Sequence, residues 1–196
     1  MYVPDHFRED RPEVLHEAVR QIGFATLITQ NLDANHLPML LQDGVLRGHV
    51  ARANPVWKTG EGAALAIFLG PHAYVSPNWY PSKAETGKAV PTWNYITVHA
   101  RGTIRWIQDG EWLRANVTAL SRAHEAGQPS PWQVSDAPAS YVESLLRAIV
   151  GFELTIESLQ GKYKLSQNRD AADRAGVRKA FEREGLTDLA RLMDSE

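Results

Sequence analysis

The sequence predicts a mainly β protein: a predominantly antiparallel barrel with helices around its periphery. Three observations carry that expectation. Residues 92–107 alternate with a period of two, placing Ile96, Val98, Ala100, Ile104 and Trp106 on one face and Thr97, His99, Arg101, Thr103 and Arg105 on the other; this is the signature of a long, half-buried strand. Asp43-Gly44 separates two β-forming runs, 36–42 and 45–50, and both turn positions tolerate the positive φ of a tight hairpin. Alternating βαβ units are missing, which argues against a doubly wound parallel sheet.

The elements follow in order. Asp10, Pro12 and Glu13 read as an N-cap acid, a first-turn proline and a capping-box acid. Val14, Leu15, Ala18, Val19 and Ile22 then repeat with helical spacing until Gly23, predicting a helix over 11–22. Residues 24–30 are rich in β-formers and read as a strand. Asn54-Pro55 opens a single helical turn, with Asn54 as cap. The apolar run 63–69 reads as a central strand, and 84–87 as a polar loop. Helical patterns occupy about 111–125 (Trp112, Ala115, Ala119, Leu120, Ala123) and 139–149 (Val142, Leu145, Leu146, Ile149). Val150, Phe152, Leu154 and Ile156 alternate with polar residues as a further strand. A helical tail spans about 170–193, with Gly176 and Gly185 interrupting its pattern. The expectation is one domain over 1–196, with a helical insertion at about 110–149.

Composition narrows the function. At 196 residues with 43% hydrophobic and 22% charged content the chain is an ordinary globular one. No apolar run approaches the roughly 20 residues of a membrane span. The first residues carry neither a basic nor an apolar signal region, and cysteine is absent, so disulfides and thiol chemistry are excluded and a cytoplasmic protein is expected. The net charge of −2 conceals a segregation. Residues 44–108 hold seven basic against two acidic residues, a balance of +5, which leaves −7 elsewhere. Trp57, Trp79, Trp93 and Trp106 lie in this basic stretch. Two readings fit: a site for a flat or stacked anion, or side chains dispersed over the surface by strand alternation.

Several familiar sites are absent. Gly60-Glu61-Gly62 precedes a strand rather than following one, so it is no dinucleotide-binding turn. There is no Walker-type loop, no Gly-x-Ser-x-Gly elbow and no His-x-x-x-His spacing, so no metal site is expected. Three polar segments remain. In 49–58 a strand end runs into a helix start, where backbone N–H groups favour an anion; Arg52 offers a guanidinium fork and Lys58 a point charge. The bland reading is a capped turn with solvated cations. Segments 76–83 and 88–95 bring Trp79, Trp93 and Tyr95 as planar walls, with Thr92 and Asn94 placed to read a heterocycle edge. Segment 162–169 joins the last strand to the tail, with Gln167 and Arg169 able to face a ligand and Asn168 able to cap the helix. No nucleophile and no pair of carboxylates stands out, so no catalytic residue is assigned. A bound cofactor with its own chemistry fits better than a hydrolase.

Four stretches, His49-Val50-Ala51-Arg52-Ala53-Asn54-Pro55, Ala73-Tyr74-Val75-Ser76-Pro77-Asn78-Trp79-Tyr80, Val90-Pro91-Thr92-Trp93-Asn94-Tyr95 and Lys164-Leu165-Ser166-Gln167-Asn168-Arg169, resemble the PaiB-type family of FMN-binding negative transcriptional regulators. The resemblance runs in order from Pro4 into the tail. It implies an FMN-binding split barrel similar to the pyridoxamine-phosphate-oxidase fold, a homodimer, and flavin at the subunit interface. Carried onto this chain, it makes His49, Arg52, Asn54, Lys58, Ser76, Asn78, Lys88, Thr92, Trp93, Asn94, Gln167 and Arg169 the cofactor-binding candidates. Arg52, Asn54 and Lys58 would hold the phosphate; Lys88, Thr92, Trp93 and Asn94 would meet the ring; Gln167 and Arg169 would reach across the dimer. One alternative is a flavin-dependent reductase or oxidase using the same pocket. Another is a haem-binding split barrel with His49 or His99 as axial ligand. DNA is a partner the family implies, but residues 162–196 carry eight basic and seven acidic residues, unlike a strongly basic DNA-facing helix.

Overall fold

The structure is a computed structural model that describes residues 1–194. Eight strands form one sheet: β1 (Arg8–Glu9), β2 (Phe24–Ile28), β3 (Ala34–Pro38), β4 (Leu40–Gln42), β5 (Val45–Ala51), β6 (Gly62–Val75), β7 (Thr92–Ile107) and β8 (Ile149–Lys164). The helices are α1 (Pro12–Ile22), α2 (Ser82–Thr86), α3 (Gly110–Glu125), α4 (Ala139–Arg147), α5 (Ala171–Arg183) and α6 (Thr187–Leu192). Strands are hydrogen-bonded in the order β3-β2-β6-β7-β8-β5-β4, with β1 added to β8. Every pairing whose register is resolved, β1 with β8, β2 with β3 and β6, β5 with β4 and β8, is antiparallel. Two compact units divide the chain: Met1–Ala18, Leu69–Val98 and Gln160–Glu196 form the first, Val19–Phe68 and His99–Leu159 the second.

In the second unit the sheet curls so that its two ends are joined through the chain. The strands at the ends of the order, β3 and β4, are consecutive pieces of chain separated only by Met39. β3 pairs with β2 (Phe24↔Pro38) while β4 pairs with β5 (Leu40↔Arg47). Met39, 1% exposed, turns this corner and gives its N–H to Gly23 O at 2.7 Å. The sequence reading of 36–42 as one strand is corrected here: apolar periodicity continues through Met39, but the two halves bond opposite ends of the sheet. The hairpin at Asp43-Gly44 forms as expected, with φ of +50° and +77°, and β4 and β5 align across it from Gln42↔Val45. Leu46, Val50, Val150, Phe152, Leu154 and Ile104 are buried in this unit, and Trp106 meets Phe152 edge-to-face at 5.9 Å.

α3 begins under Asp109, whose side chain accepts from Trp112 N. Its buried residues are Leu113, Asn116 and Leu120; of the stripe the sequence suggests, Trp112, Ala115, Ala119, Leu120 and Ala123, only Leu120 is among them. The larger leucines win the inward position because Val142 and Leu146 of α4 complete a common apolar cluster with Leu113.

In the first unit the strands run further than periodicity showed. β6 continues to Val75, beyond the apolar run, and β8 to Lys164. Segment 162–164 is therefore strand rather than connection, paired through Lys162 with Arg8 of β1. Of the loop expected at 84–87, residues 84–86 lie in the short helix α2, closed by Gly87 at φ +67°. At the N-terminus it is Glu9, not Asp10, whose carboxylate accepts from Arg11 N and Nε, each at 2.9 Å. The tail divides at Gly185, as read; Gly176 does not interrupt it but lies inside α5.

Candidate functional site

The candidates fall into two groups, one in each unit. In the second unit, His49 lies on β5 with its Nδ1 buried and without a hydrogen-bond partner. Burial pushes its pKa below the ordinary imidazole value, favouring the neutral ring. Arg52 follows at the strand end. Its Nε donates to Arg147 O at 2.7 Å, Nη1 to Gln108 Oε1 at 2.7 Å and Nη2 to Ile149 O at 2.9 Å. The guanidinium expected to meet a phosphate thus ties the end of α4 and the start of β8 to β5. Asn54 caps the five-residue 3-10 turn Pro55–Thr59 by accepting from Val56 N, and its Nδ2 donates to Asn35 Oδ1 at 2.6 Å. The expected helical turn is there, with its capping residue doubly engaged. Lys58 is exposed, its ammonium 5.8 Å from the Trp57 ring centroid.

One feature of this unit escaped the sequence reading. Glu153 of β8 is 6% exposed. It faces Arg47 Nε at 3.0 Å and Trp112 Nε1 at 3.2 Å, and accepts from Arg105 through both Nε and Nη2. Burial alone would raise its pKa; the hydrogen bonds of Arg105 and Trp112 and the charges of Arg105 and Arg47 reverse this and hold it below the usual carboxylate value. Alternation marked Glu153 as a polar-face residue, but periodicity carries no signal for which cations converge on it.

In the first unit the candidates assemble around the start of β7. Lys164 donates through Nζ to Thr92 Oγ1 and to Trp93 O. Burial, with Lys162 and Arg169 nearby, lowers its pKa. Asn94 is fully buried and exchanges two hydrogen bonds with Ser166, at 3.0 and 3.1 Å. Its amide is thus engaged in locking β7 to the turn after β8. Ser166 has φ +66°, which places its hydroxyl in that turn. Gln167 accepts from Leu165 N at 2.7 Å and donates to Tyr163 O, folding the same turn. Ser76 caps Asn78 N at 3.2 Å, and Asn78 Oδ1 accepts from Lys83 Nζ. Arg169 lies over the Tyr80 ring at 4.5 Å.

What remains open to a ligand is aromatic and basic. Trp93 is 53% exposed, with His72 and Tyr74 of β6 at ring-centroid distances of 6.3 and 6.2 Å. Lys88, on the connection before β7, is exposed and its ammonium has no partner among the described residues. His72 and Tyr74 were not singled out from sequence as lining residues; they face Trp93 only because β6 and β7 are neighbours. These groups fit a flavin in kind: planar faces for the ring system and an uncommitted cation for a phosphate.

An antiparallel sheet closed through a broken strand and flanked by helices is a split barrel. Two solved structures share this fold with the chain: the flavocytochrome Anf3 of Azotobacter vinelandii (TM-score 0.64, 13% identity, covering 89% of this chain and 78% of that one), and the FAD and heme binding protein of Mycobacterium smegmatis (TM-score 0.62, 15% identity, 86% and 78%). Residues 1–158 match the family described as "Putative FMN-binding domain". The chain belongs to this FMN-binding family, and FMN is its cofactor. The Bacillus subtilis protein named "Protease synthase and sporulation protein PAI 2" is 32% identical over 208 residues, covering 100% of this chain and 98% of that protein. An uncharacterized protein of Emericella nidulans is 36% identical over 230 residues, with 94% and 92% covered. No helix among the described residues is long and apolar enough to cross a membrane.

Proposed function

We propose that the protein is a cytoplasmic, homodimeric FMN-binding split-barrel regulator of the PaiB type, acting negatively on transcription. The observation that carries the reading is the end-to-end match to the Bacillus subtilis protein, whose name refers to protease synthesis and sporulation. One FMN-binding domain spanning 1–196 is part of the proposal: β6, β7 and β8 each run unbroken through both compact units. Within the first unit, Trp93 and His72 present faces for the isoalloxazine and Lys88 an ammonium for the phosphate. Lys164 acts indirectly, fixing the backbone at Trp93. When bound, FMN supplies hydride or electron transfer. The chain's own contribution is to hold and orient it.

The purified protein is expected to be yellow, with a flavin band pair, no Soret band, and FMN as the mass-identified released ligand. Trp93→Ala and Lys88→Ala each weaken FMN by about tenfold, the loss of one stacking face or one charge-assisted contact. Arg52→Ala lowers the melting temperature and leaves FMN affinity nearly unchanged. A Soret band would replace this reading with a haem protein. NAD(P)H oxidation stimulated by FMN, without retention of the protein's own promoter DNA, would replace it with a flavin reductase.

A further inference from the structure

Between α3, α4 and their connection lies a cavity of about 460 Å³, wholly within the second unit and sharing no residue with the flavin candidates. Its size falls in the usual range for small-molecule sites, roughly 300–1,000 Å³. One wall is a polar stripe on α3, Arg114, Thr118, Ser121 and Arg122, whose spacing (i, i+4, i+7, i+8) places all four on one face. Val142 and Ala139 of α4, with Val134 and Ala137, supply apolar surface. The third wall is Trp132, 45% exposed.

The connection is held in place rather than loose. Trp132 N donates to Glu125 Oε2 at 2.9 Å, Gln133 N to Asp136 Oδ2 at 2.9 Å, and Asp136 N to Gln133 O at 2.9 Å. The backbone that carries the indole is therefore fixed beside the cavity before any ligand arrives, which lowers the ordering cost of binding.

Charge sets the class of ligand. Two guanidinium groups line the cavity and no carboxylate does. Arg114 is paired with Glu143. Arg122 has no ion-pair or hydrogen-bond partner among the described residues, and neither do the Ser121 and Ser135 hydroxyls. One unneutralised fork suits one carboxylate, which it binds bidentately; two hydroxyls can complete the oxygens' hydrogen bonds. The indole face and the apolar wall suit an aromatic ring.

We propose that this cavity binds a small aromatic monocarboxylate, with its carboxylate on Arg122 and its ring against Trp132. The site is independent of the flavin reading. It gives the helical insertion between β7 and β8 a ligand-binding role beyond covering the barrel.

The test is calorimetric titration of the full chain, as purified, with indole-3-carboxylate, indole-3-carboxamide and inorganic phosphate. Saturable 1:1 binding of the acid is expected, with the neutral amide at least about tenfold weaker because it forfeits the charge-assisted pair. Arg122→Gln should weaken the acid about tenfold and Trp132→Ala several-fold. Both side chains are exposed, so melting temperatures should stay at the wild-type value. Absence of saturation up to about 5 mM acid, a dissociation constant beyond which the contacts contribute little, overturns the proposal. So does equal affinity for the amide, or an Arg122→Gln variant that binds as the wild type does. Phosphate binding as tight as the acid would overturn the aromatic assignment and leave an anion site only.

Discussion

Glu153 shows how a single carboxylate organises one side of the barrel. It draws Arg47 from β5, Arg105 from β7 and Trp112 from α3 onto β8. Removing its charge leaves two cations facing each other with no anion between them. Glu153→Gln should destabilise the protein by about 2 kcal/mol, typical of lost hydrogen bonds to a charged group, discounted because Arg47 and Arg105 are partly solvated. For a chain of this length that is about 4–8 °C in melting temperature. The pH dependence follows from the direction of the shift. Glu153 titrates lower in the folded state than in the unfolded one, so its contribution is fully present above the ordinary carboxylate pKa of about 4.3. It is lost as the pH falls through the lower, folded value. The gap in melting temperature between wild type and Glu153→Gln should be constant from neutral pH down to about 5 and close below about 4. A gap that persists unchanged in acid would mean that Glu153 is not the titrating centre of this cluster.

At the scale of elements, sequence pattern identified most of the parts and missed how they join. The span of β7 was read as 92–107 because its alternation is uninterrupted, and β5 and its turn because Asp43-Gly44 admits few other conformations. Periodicity cannot show a change of partner, so β3 and β4 read as one strand through Met39. The inward positions of β8 also change phase, from Val150, Phe152 and Leu154 to Gly161 and Tyr163, so its end at Lys162 and Lys164 read as connection. The site suffered the same limit. The side chains with the most obvious chemistry, Arg52 and Asn94, are bonded to the protein itself, while His72 comes beside Trp93 only through strand pairing. Gly176 illustrates the point in a helix. From sequence it read as an interruption; in the structure α5 passes so close to the 3-10 turn Pro77–Trp79 that a Cβ at 176 would sit 2.1 Å from Trp79 O. Alanine there gains about 1 kcal/mol of helix propensity and loses about 1–3 kcal/mol to overpacking against backbone that cannot yield locally. Gly176→Ala should therefore lower stability by up to about 2 kcal/mol in urea denaturation. Because Trp79 meets Phe181 of α5 edge-to-face at 5.8 Å, tryptophan emission should shift as well. A stabilised variant would show that α5 stands further from the turn.

For the molecule as a whole, charge is distributed in a way that limits how it can meet DNA. The chain is nearly neutral at −2, its excess of base is confined to 44–108, and 162–196 balances eight basic residues with seven acidic ones. Several of the tail's cations are already paired: Arg178 with Glu182 and Asp194, Arg183 with Glu184, and Arg191 with Asp188. Neutralising many phosphates releases many counterions and makes binding fall steeply with salt, by about 0.9 in log–log slope per phosphate. Arg47 and Arg105 are committed to Glu153, and Arg52 to backbone and Gln108. Few cations remain to contact a duplex from either unit. On the regulatory reading, the protein should retain a duplex from its own promoter region with a slope of about −2 to −4, corresponding to roughly two to four phosphates. It should show little retention of unrelated duplex at physiological salt. Filter or mobility-shift titrations between about 50 and 200 mM salt measure both quantities. A slope near −8, with equal affinity for unrelated DNA, would require a broad basic face that the charge distribution of this chain does not provide, and would count against sequence-specific regulation.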